Sequence, residues 1–150
     1  MAGRWFEQWS VGDRLVHDIR RTVTETDNLL FSTMTHNSQP LHLDAEAARA
    51  SEFGQIIVNG TFTFALMVGL SVGDTTLGTL IANLGYDKLV MPSPVFLGDT
   101  LRAETIVAEL RDSQSRPHAG IVTFAHQMLN QRDEIVCTCL RTALLKRQPL

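Results

Sequence analysis

Cysteine is scarce in this chain of 150 residues, which contains only two. Cys137 and Cys139 lie one residue apart in a segment of strand composition, so both side chains point to the same face of that strand. They are too close in sequence to form an unstrained disulfide bond, and no further pair of cysteines or histidines completes a set of metal ligands. We therefore expect two reduced, partly buried thiols and no metal site.

Clusters of basic residues and long apolar runs are also missing. The chain has 13 Lys and Arg against 16 Asp and Glu, a net charge of -3, so no electrostatic attraction to nucleic acid is expected. Nowhere do about 18 uncharged apolar residues follow one another, and the first residues lack the apolar core of a signal peptide. We expect a cytoplasmic protein with neither nucleic-acid nor membrane partners.

The first half of the chain predicts one strand followed by short helices. Apolar and polar residues alternate between positions 13 and 25, which is typical of a strand. Side chains that can cap a helix precede two short segments of helical composition. These predicted helices and their caps are 28–34 with Thr26 or Asp27, and 45–51 with Asp44.

The second half predicts one long helix and then several strands. Polar residues are so sparse between positions 61 and 72 that we expect a helix buried on nearly every side. The length of this run favours a helix over a strand, although periodicity alone does not separate the two. Four extended segments separated by short turns follow, at 80–91, 100–110, 121–130 and 134–146.

This order of elements predicts a single α+β domain over residues 1–150, with an antiparallel sheet wrapped around one long helix. That arrangement is the hot-dog fold, and the alternative is a sandwich of two sheets with an incidental helix. Only 19% of the residues are charged, which is low for the surface of a free monomer. Because an edge strand also needs a partner, we expect a homodimer or a higher homo-oligomer.

The segment from Thr35 to His42 places hydrogen-bonding side chains directly beside apolar segments that must be buried. It holds two histidines, an asparagine and a glutamine around Pro40. Residue types alone favour a structural use, because Asn37 and Gln39 can satisfy backbone groups where a helix stops and proline enforces a turn.

Several separate pieces of the sequence resemble, in order, the MaoC-like dehydratases, the (R)-specific enoyl-CoA hydratase family. Residues 36–42 are similar to its Gly-Asp-x-Asn-Pro-[Leu/Ile/Val]-His signature, and the last three of them match it. Residues 57–60 resemble the family's Ile-Val-His-Gly, and residues 94–101 resemble its Pro-Val-x-x-Gly-Asp-x-Leu. The resemblance implies the hot-dog fold, an acyl-CoA substrate, and no cofactor other than the coenzyme A of that substrate.

By position, the resemblance gives His42 the family's histidine role and puts Asn37 where the family has an aspartate. Because a neutral amide cannot accept a proton, we expect His42 to carry out both proton transfers while Asn37 orients water or substrate. The amides of Gly60 and Thr61, at the start of the long helix, are expected to stabilise the developing enolate. Asn59 can donate to the substrate or cap the helix, and capping is favoured.

The altered signature, with Gln39 in place of the family's asparagine, most resembles the branch that hydrates mesaconyl-CoA or itaconyl-CoA. Such a substrate carries a free carboxylate, for which His36, Asn37, Gln39 and Asn83 are candidate partners. A carboxylate base would require another acid, such as Asp44, to enter the site.

Two other functions remain open. A hot-dog thioesterase would use the same cleft but needs a carboxylate on or near the central helix, and residues 61–72 contain none. A non-catalytic acyl-CoA-binding protein is favoured by Asn37 at the aspartate position and disfavoured by the retained His42.

Overall fold

The computed structural model describes residues 2–150 of the chain. A short 3-10 turn at Phe6–Gln8 precedes one strand, three short helices, one long helix and four long strands. The bounds are β1 Arg14–Thr22, α1 Glu25–Met34, α2 Pro40–Leu43, α3 Ala45–Ala50, α4 Gly60–Thr75, β2 Leu80–Val90, β3 Thr100–Asp112, β4 Ala119–Leu129 and β5 Ile135–Lys146. The first strand, the long helix and the four later strands predicted from the sequence are therefore confirmed.

All five strands form one antiparallel sheet in the order β1-β3-β4-β5-β2. Helix α4 lies across one face of this sheet, where its buried residues Met67 and Leu70 join the main core. The strand residues in that core are Leu101, Ala103, Met128, Val136, Cys137 and Cys139. One sheet wrapped around one long helix is the α+β hot-dog arrangement expected from the sequence. Helix α4 is not buried on nearly every side as expected, because Thr61, Ala65 and Gly69 are exposed within one chain. No helix within residues 2–150 has the length and apolar character needed to cross a membrane.

The two cysteines behave as their spacing predicts. Cys137 and Cys139 both face the core from β5, and both are free thiols. Burial raises the pKa of each thiol to about 11. The prediction of reduced, buried cysteines on one face of a strand is confirmed.

Helix α1 begins earlier than predicted. Thr24, not Thr26 or Asp27, is its N-cap, because the Thr24 hydroxyl accepts a hydrogen bond from the Asp27 amide. The Asp27 carboxylate accepts in return from the Thr24 amide at 2.8 Å, which completes a reciprocal capping box. The same carboxylate pairs with Arg21 at the end of β1, so the cap also fixes the entry to the helix.

Strand β1 alternates less regularly than the sequence suggests. His17 is buried, whereas Ile19 is 49% exposed although it lies two residues further along. The pairing of β1 with β3 shifts register between Val16 and Arg20, and this irregularity breaks the alternation of inward-facing side chains.

Strands β1 and β2 form the two edges of the sheet. Within residues 2–150, β2 pairs on one side only, with β5. Its side chains are mostly exposed, and the large apolar ones among them are Leu84, Tyr86, Leu89 and Val90. An edge strand of this length and apolar character is a surface suited to pairing with a second chain.

Candidate active site

The segment from Thr35 to His42, which the sequence predicts to contain the catalytic residues, follows the end of α1. His36 adopts a left-handed backbone conformation with φ of 56°, and the amide of Asn37 donates to the Ser32 carbonyl at 2.9 Å. Pro40 then starts the single-turn helix α2, as proline commonly does at a first helical position. A short loop of residues 36–39 therefore separates the end of α1 from α2.

One ring nitrogen of His42 is fixed by the backbone. Its Nδ1 lies 2.7 Å from the carbonyl oxygen of Ile57. A carbonyl can only accept, so Nδ1 must carry the hydrogen, and in the neutral ring Nε2 carries the lone pair. Ile57 lies three residues ahead of Gly60. The bond thus orients a basic nitrogen close to the start of helix α4.

The side chain of Asn37 uses its oxygen within the loop. Its Oδ1 accepts a hydrogen bond from the amide of Gln39 at 3.2 Å, which forms the turn that residue types predicted. Its Nδ2 donates to no acceptor within residues 2–150 and is free for water or substrate. The side chains of Gln39 and His36 are exposed and equally make no hydrogen bond within the described chain.

The backbone amides of Gly60 and Thr61, which were expected to stabilise an enolate, differ in whether they already have a hydrogen-bond acceptor. Asn59 caps α4 with its Oδ1, which accepts from the amide of Thr61 at 3.0 Å. The Thr61 amide is therefore already engaged, and its predicted role as a free donor is wrong. The amide of Gly60 has no acceptor within residues 2–150 and lies at the positive end of the helix dipole. Gly60 thus supplies the single available donor of the pair.

Two buried residues that sequence reasoning missed hold these parts together. Asn28 donates from Nδ2 to the His42 carbonyl at 2.9 Å and accepts at Oδ1 from the Asn59 amide, also at 2.9 Å. The Nδ2 of Asn59 donates to the hydroxyl of Ser32 at 3.3 Å. With both ends of its side chain engaged and buried, Asn59 holds the helix start and does not reach a substrate. The one sequence signal was the spacing of Asn28 and Ser32, which places both on one face of α1.

The methionine that follows β2 covers the start of α4. A Cβ added to Gly60 would overlap the Sδ of Met91 and would lie 3.1 Å from its Cε. Glycine has no β carbon, so no side chain of its own occupies this position. In the structure, the space above Gly60 is filled by the thioether of Met91.

Asn83 does not join this group within one protomer. Its Oδ1 accepts from Nε of Arg141 at 2.8 Å, and Nη2 of the same arginine donates to Thr76 at 2.9 Å. Thr76 follows the last residue of α4, whose 16 residues span about 24 Å from Gly60. Asn83, a candidate partner for the substrate carboxylate, is therefore hydrogen-bonded near the end of α4 that is opposite to Gly60. The negative end of the helix dipole also explains why a buried arginine is tolerated there.

A separate polar chain is buried between α4 and the sheet. His17 Nδ1 lies 2.9 Å from Asp74 Oδ2, and His17 Nε2 lies 2.7 Å from the hydroxyl of Thr105. That hydroxyl lies 2.8 Å from His126 Nδ1. Burial, together with the charges of Arg141 and His17, lowers the pKa of His126 to about 3. The two histidines belong to strands β1 and β4 and not to the His42 site.

Comparison with known proteins identifies relatives of the whole chain. Residues 7–128 match the family described as MaoC like domain. A mesaconyl-CoA hydratase from Cereibacter sphaeroides is 33% identical over 98% of this chain, and the match covers 42% of that relative. The chain therefore spans less than half the length of this curated relative.

Solved structures agree in fold. A MaoC-like dehydratase from Rhodospirillum rubrum superposes with a TM-score of 0.86 at 35% identity, covering 99% of this chain and 100% of that one. A conserved hypothetical protein from Mycobacterium tuberculosis, described as having a double hotdog fold, gives a TM-score of 0.88 at 22% identity. That match covers 98% of this chain and 45% of the other.

Proposed function

The chain belongs to the MaoC-like domain family, and we propose that it adds water across the carbon-carbon double bond of an enoyl-CoA thioester. The observation that carries this proposal is the geometry of His42. Its Nδ1 is held by the carbonyl of Ile57, which lies three residues ahead of Gly60 in the chain, and this leaves Nε2 of His42 free as a base. A proton acceptor and an oxyanion donor are the two groups that hydration of a thioester-conjugated double bond requires.

The proposed reaction uses one base for two proton transfers. Nε2 of His42 takes a proton from water, and the oxygen of that water bonds to the β carbon. The electron pair of the double bond moves to the α carbon and the thioester oxygen, where the Gly60 amide stabilises the enolate. The imidazolium then returns its proton to the α carbon. The free Nδ2 of Asn37 orients the water or the substrate.

No carboxylate replaces the family's aspartate in this scheme. Asp44 is the N-cap of α3, and its Oδ1 accepts from the amides of Glu46 and Ala47 at 2.9 and 3.1 Å. An acid committed to a helix cap is poorly placed to act as a base. The absence of a second base is why both transfers are assigned to His42.

The substrate proposed is a short dicarboxylic acyl-CoA, either mesaconyl-CoA or itaconyl-CoA. Support comes from the relative that is named a mesaconyl-CoA hydratase and is 33% identical. The free amide of Asn37 and the exposed side chains of His36 and Gln39 offer hydrogen-bond donors for the extra carboxylate. Coenzyme A enters as part of this substrate, and we propose no separate cofactor.

We also propose that residues 1–150 act as one domain that pairs with a second copy. Its exposed apolar edge strand β2 supports pairing. The curated relative is more than twice as long as its match to this chain, so a second domain can supply there what a second copy would supply here.

The position of the acidic residue on α4 argues against a thioesterase. Helix α4 contains one acidic residue, Asp74, which the longer observed helix includes. Asp74 lies at the C-terminal end of α4 and is hydrogen-bonded to His17, far from Gly60. No acid on α4 is therefore placed to activate water at a thioester bound near Gly60.

Turnover assays separate hydration, hydrolysis and simple binding. The protein is incubated with crotonyl-, mesaconyl- and itaconyl-CoA while enoyl-thioester absorbance and free thiol are followed. We expect loss of absorbance without thiol release, and His42→Ala should lower kcat by at least about 100-fold because it removes the base. His118→Ala changes an exposed histidine outside the site and should leave the rate unchanged.

Asn37→Asp tests the role of the free amide. The new carboxylate can still accept from the Gln39 amide but repels a second carboxylate on the substrate. We expect kcat/KM to fall more for mesaconyl-CoA than for crotonyl-CoA. Thiol release would indicate a thioesterase, no turnover of any substrate would indicate a binding protein, and full activity of His42→Ala would contradict the mechanism.

A further inference from the structure

Met91 packs against Gly60 in the space that a side chain there would occupy, and it therefore lies beside the unused Gly60 amide. Its Sδ and Cε would both collide with, or crowd, a Cβ on Gly60. Because that amide is an unused donor at the start of α4, an acyl group whose carbonyl accepts from it would lie next to the methionine side chain.

The surroundings of Met91 allow its side chain to change conformation. The residue is 44% exposed, and it follows the last residue of β2, whose final pair with β5 joins Val90 to Thr138. Its backbone is therefore outside the strand ladder, and Pro92 comes next in the sequence. Methionine is unbranched, has three rotatable bonds beyond Cα, and adapts its shape at little cost.

The position of Met91 also fixes which part of the substrate it would meet. When a thioester oxygen accepts from the Gly60 amide, the carbonyl carbon and the α carbon lie next to that amide. A group attached to the α carbon then lies within van der Waals reach of whatever covers Gly60. The far end of the acyl chain is more distant and meets other residues.

We propose that Met91 is a specificity-determining residue that packs against Gly60 in the free protein and borders the substituent on the substrate's α carbon in the complex. This inference rests on the proposed hydratase function. It assigns to Met91 a limit on the size of the α substituent, because the thioether can fold aside only as far as the neighbouring backbone allows.

Met91→Ala removes the thioether and should relax this limit. The test compares kcat/KM for the CoA esters of 2-methyl-2-butenoic and 2-ethyl-2-butenoic acid, with crotonyl-CoA as the reference without an α substituent. We expect the ethyl-to-methyl ratio to rise by about tenfold in Met91→Ala, which is the usual effect of one methylene in a fitted pocket. Met91→Leu, which keeps the volume, should retain a ratio close to that of the wild type.

Leu77→Ala is the matched control, since Leu77 is a 47% exposed apolar residue just beyond the opposite end of α4. This variant should keep the wild-type ratio. If Met91→Ala hydrates both esters with the wild-type ratio, the proposal for Met91 is wrong and the hydratase function stands.

A binding measurement keeps the two proposals distinguishable. If the wild type hydrates none of the esters, the proposed function fails. Met91 is then judged by calorimetric Kd values for 2-methylbutyryl-CoA and 2-ethylbutyryl-CoA. A ratio that shifts toward the ethyl compound in Met91→Ala supports the proposal, and an unchanged ratio overturns it. Thermal unfolding of each variant checks that the fold is retained.

Discussion

The imidazole of His126 is buried in a position where it cannot readily take up a proton. Its pKa is about 3 in the folded chain and near 6.5 when unfolded, so the unfolded state binds the proton first as the pH falls. The contribution of His126 to stability is complete above pH 6.5 and is lost as the pH falls toward 3. From pH 7 to pH 5, we expect the free energy of unfolding to drop by about 2 kcal/mol through this residue.

Urea unfolding of wild type and His126→Asn at pH 7, 6 and 5 measures this loss. Asparagine can still hydrogen-bond to Thr105 but does not titrate, so the variant should lose less stability over this range. His118→Ala, which removes an exposed histidine, should follow the wild type. Equal pH dependence in wild type and His126→Asn would contradict the assignment.

Helices α1, α2 and α4 are held to one another by the side chain of Asn28. This buried side chain donates a hydrogen bond to the His42 carbonyl and accepts one from the Asn59 amide. In Asn28→Ala both backbone groups lose their partner, and each costs roughly 1–3 kcal/mol when left unsatisfied in the interior. We expect the free energy of unfolding to fall by about 2–4 kcal/mol, measured by chemical denaturation, and kcat to fall because the turn carrying His42 loosens.

Asn28→Asp is the informative companion variant. It keeps an acceptor for the Asn59 amide but replaces the donor to the His42 carbonyl with a carboxylate oxygen. Activity should therefore fall even where part of the stability is recovered. Wild-type activity in both variants would show that Asn28 does not position His42.

At the level of elements, sequence patterns predicted most of the fold and only part of the site. The strands and α4 follow from local apolar periodicity, and the loop chemistry of Asn37 and Gln39 follows from residue type and spacing. Contacts that join distant parts of the chain were not predictable in this way. Met91 meets Gly60 across 31 positions of sequence, and Asn28 meets Asn59 across another 31. Asn83 was a candidate partner for the substrate carboxylate, and only the fold shows that it contacts Arg141, 58 positions away in the sequence.

The whole molecule exposes an apolar edge that we expect to be covered by a second copy of the chain. Leu84 on β2 is 52% exposed, and a lysine there would oppose pairing of that edge with another strand. We expect sedimentation equilibrium to give twice the 16.7 kDa chain mass for wild type and a strong shift toward the monomer for Leu84→Lys.

Ile19→Lys is the control on the opposite edge, because Ile19 is similarly exposed on β1. It should remain dimeric. A monomeric wild type, or equal dissociation of the two variants, would show that β2 is not the dimer edge.

The buried thiols of Cys137 and Cys139 bear on how this protein can be followed in solution. Only a thiolate reacts readily with disulfide and maleimide reagents, and a pKa of about 11 leaves very little thiolate near neutral pH. Reagents added to the folded protein therefore report coenzyme A set free from a substrate, with little background from the chain. The rate at which the two cysteines are labelled then measures how often β5 opens, because both side chains must separate from α4 before they can react.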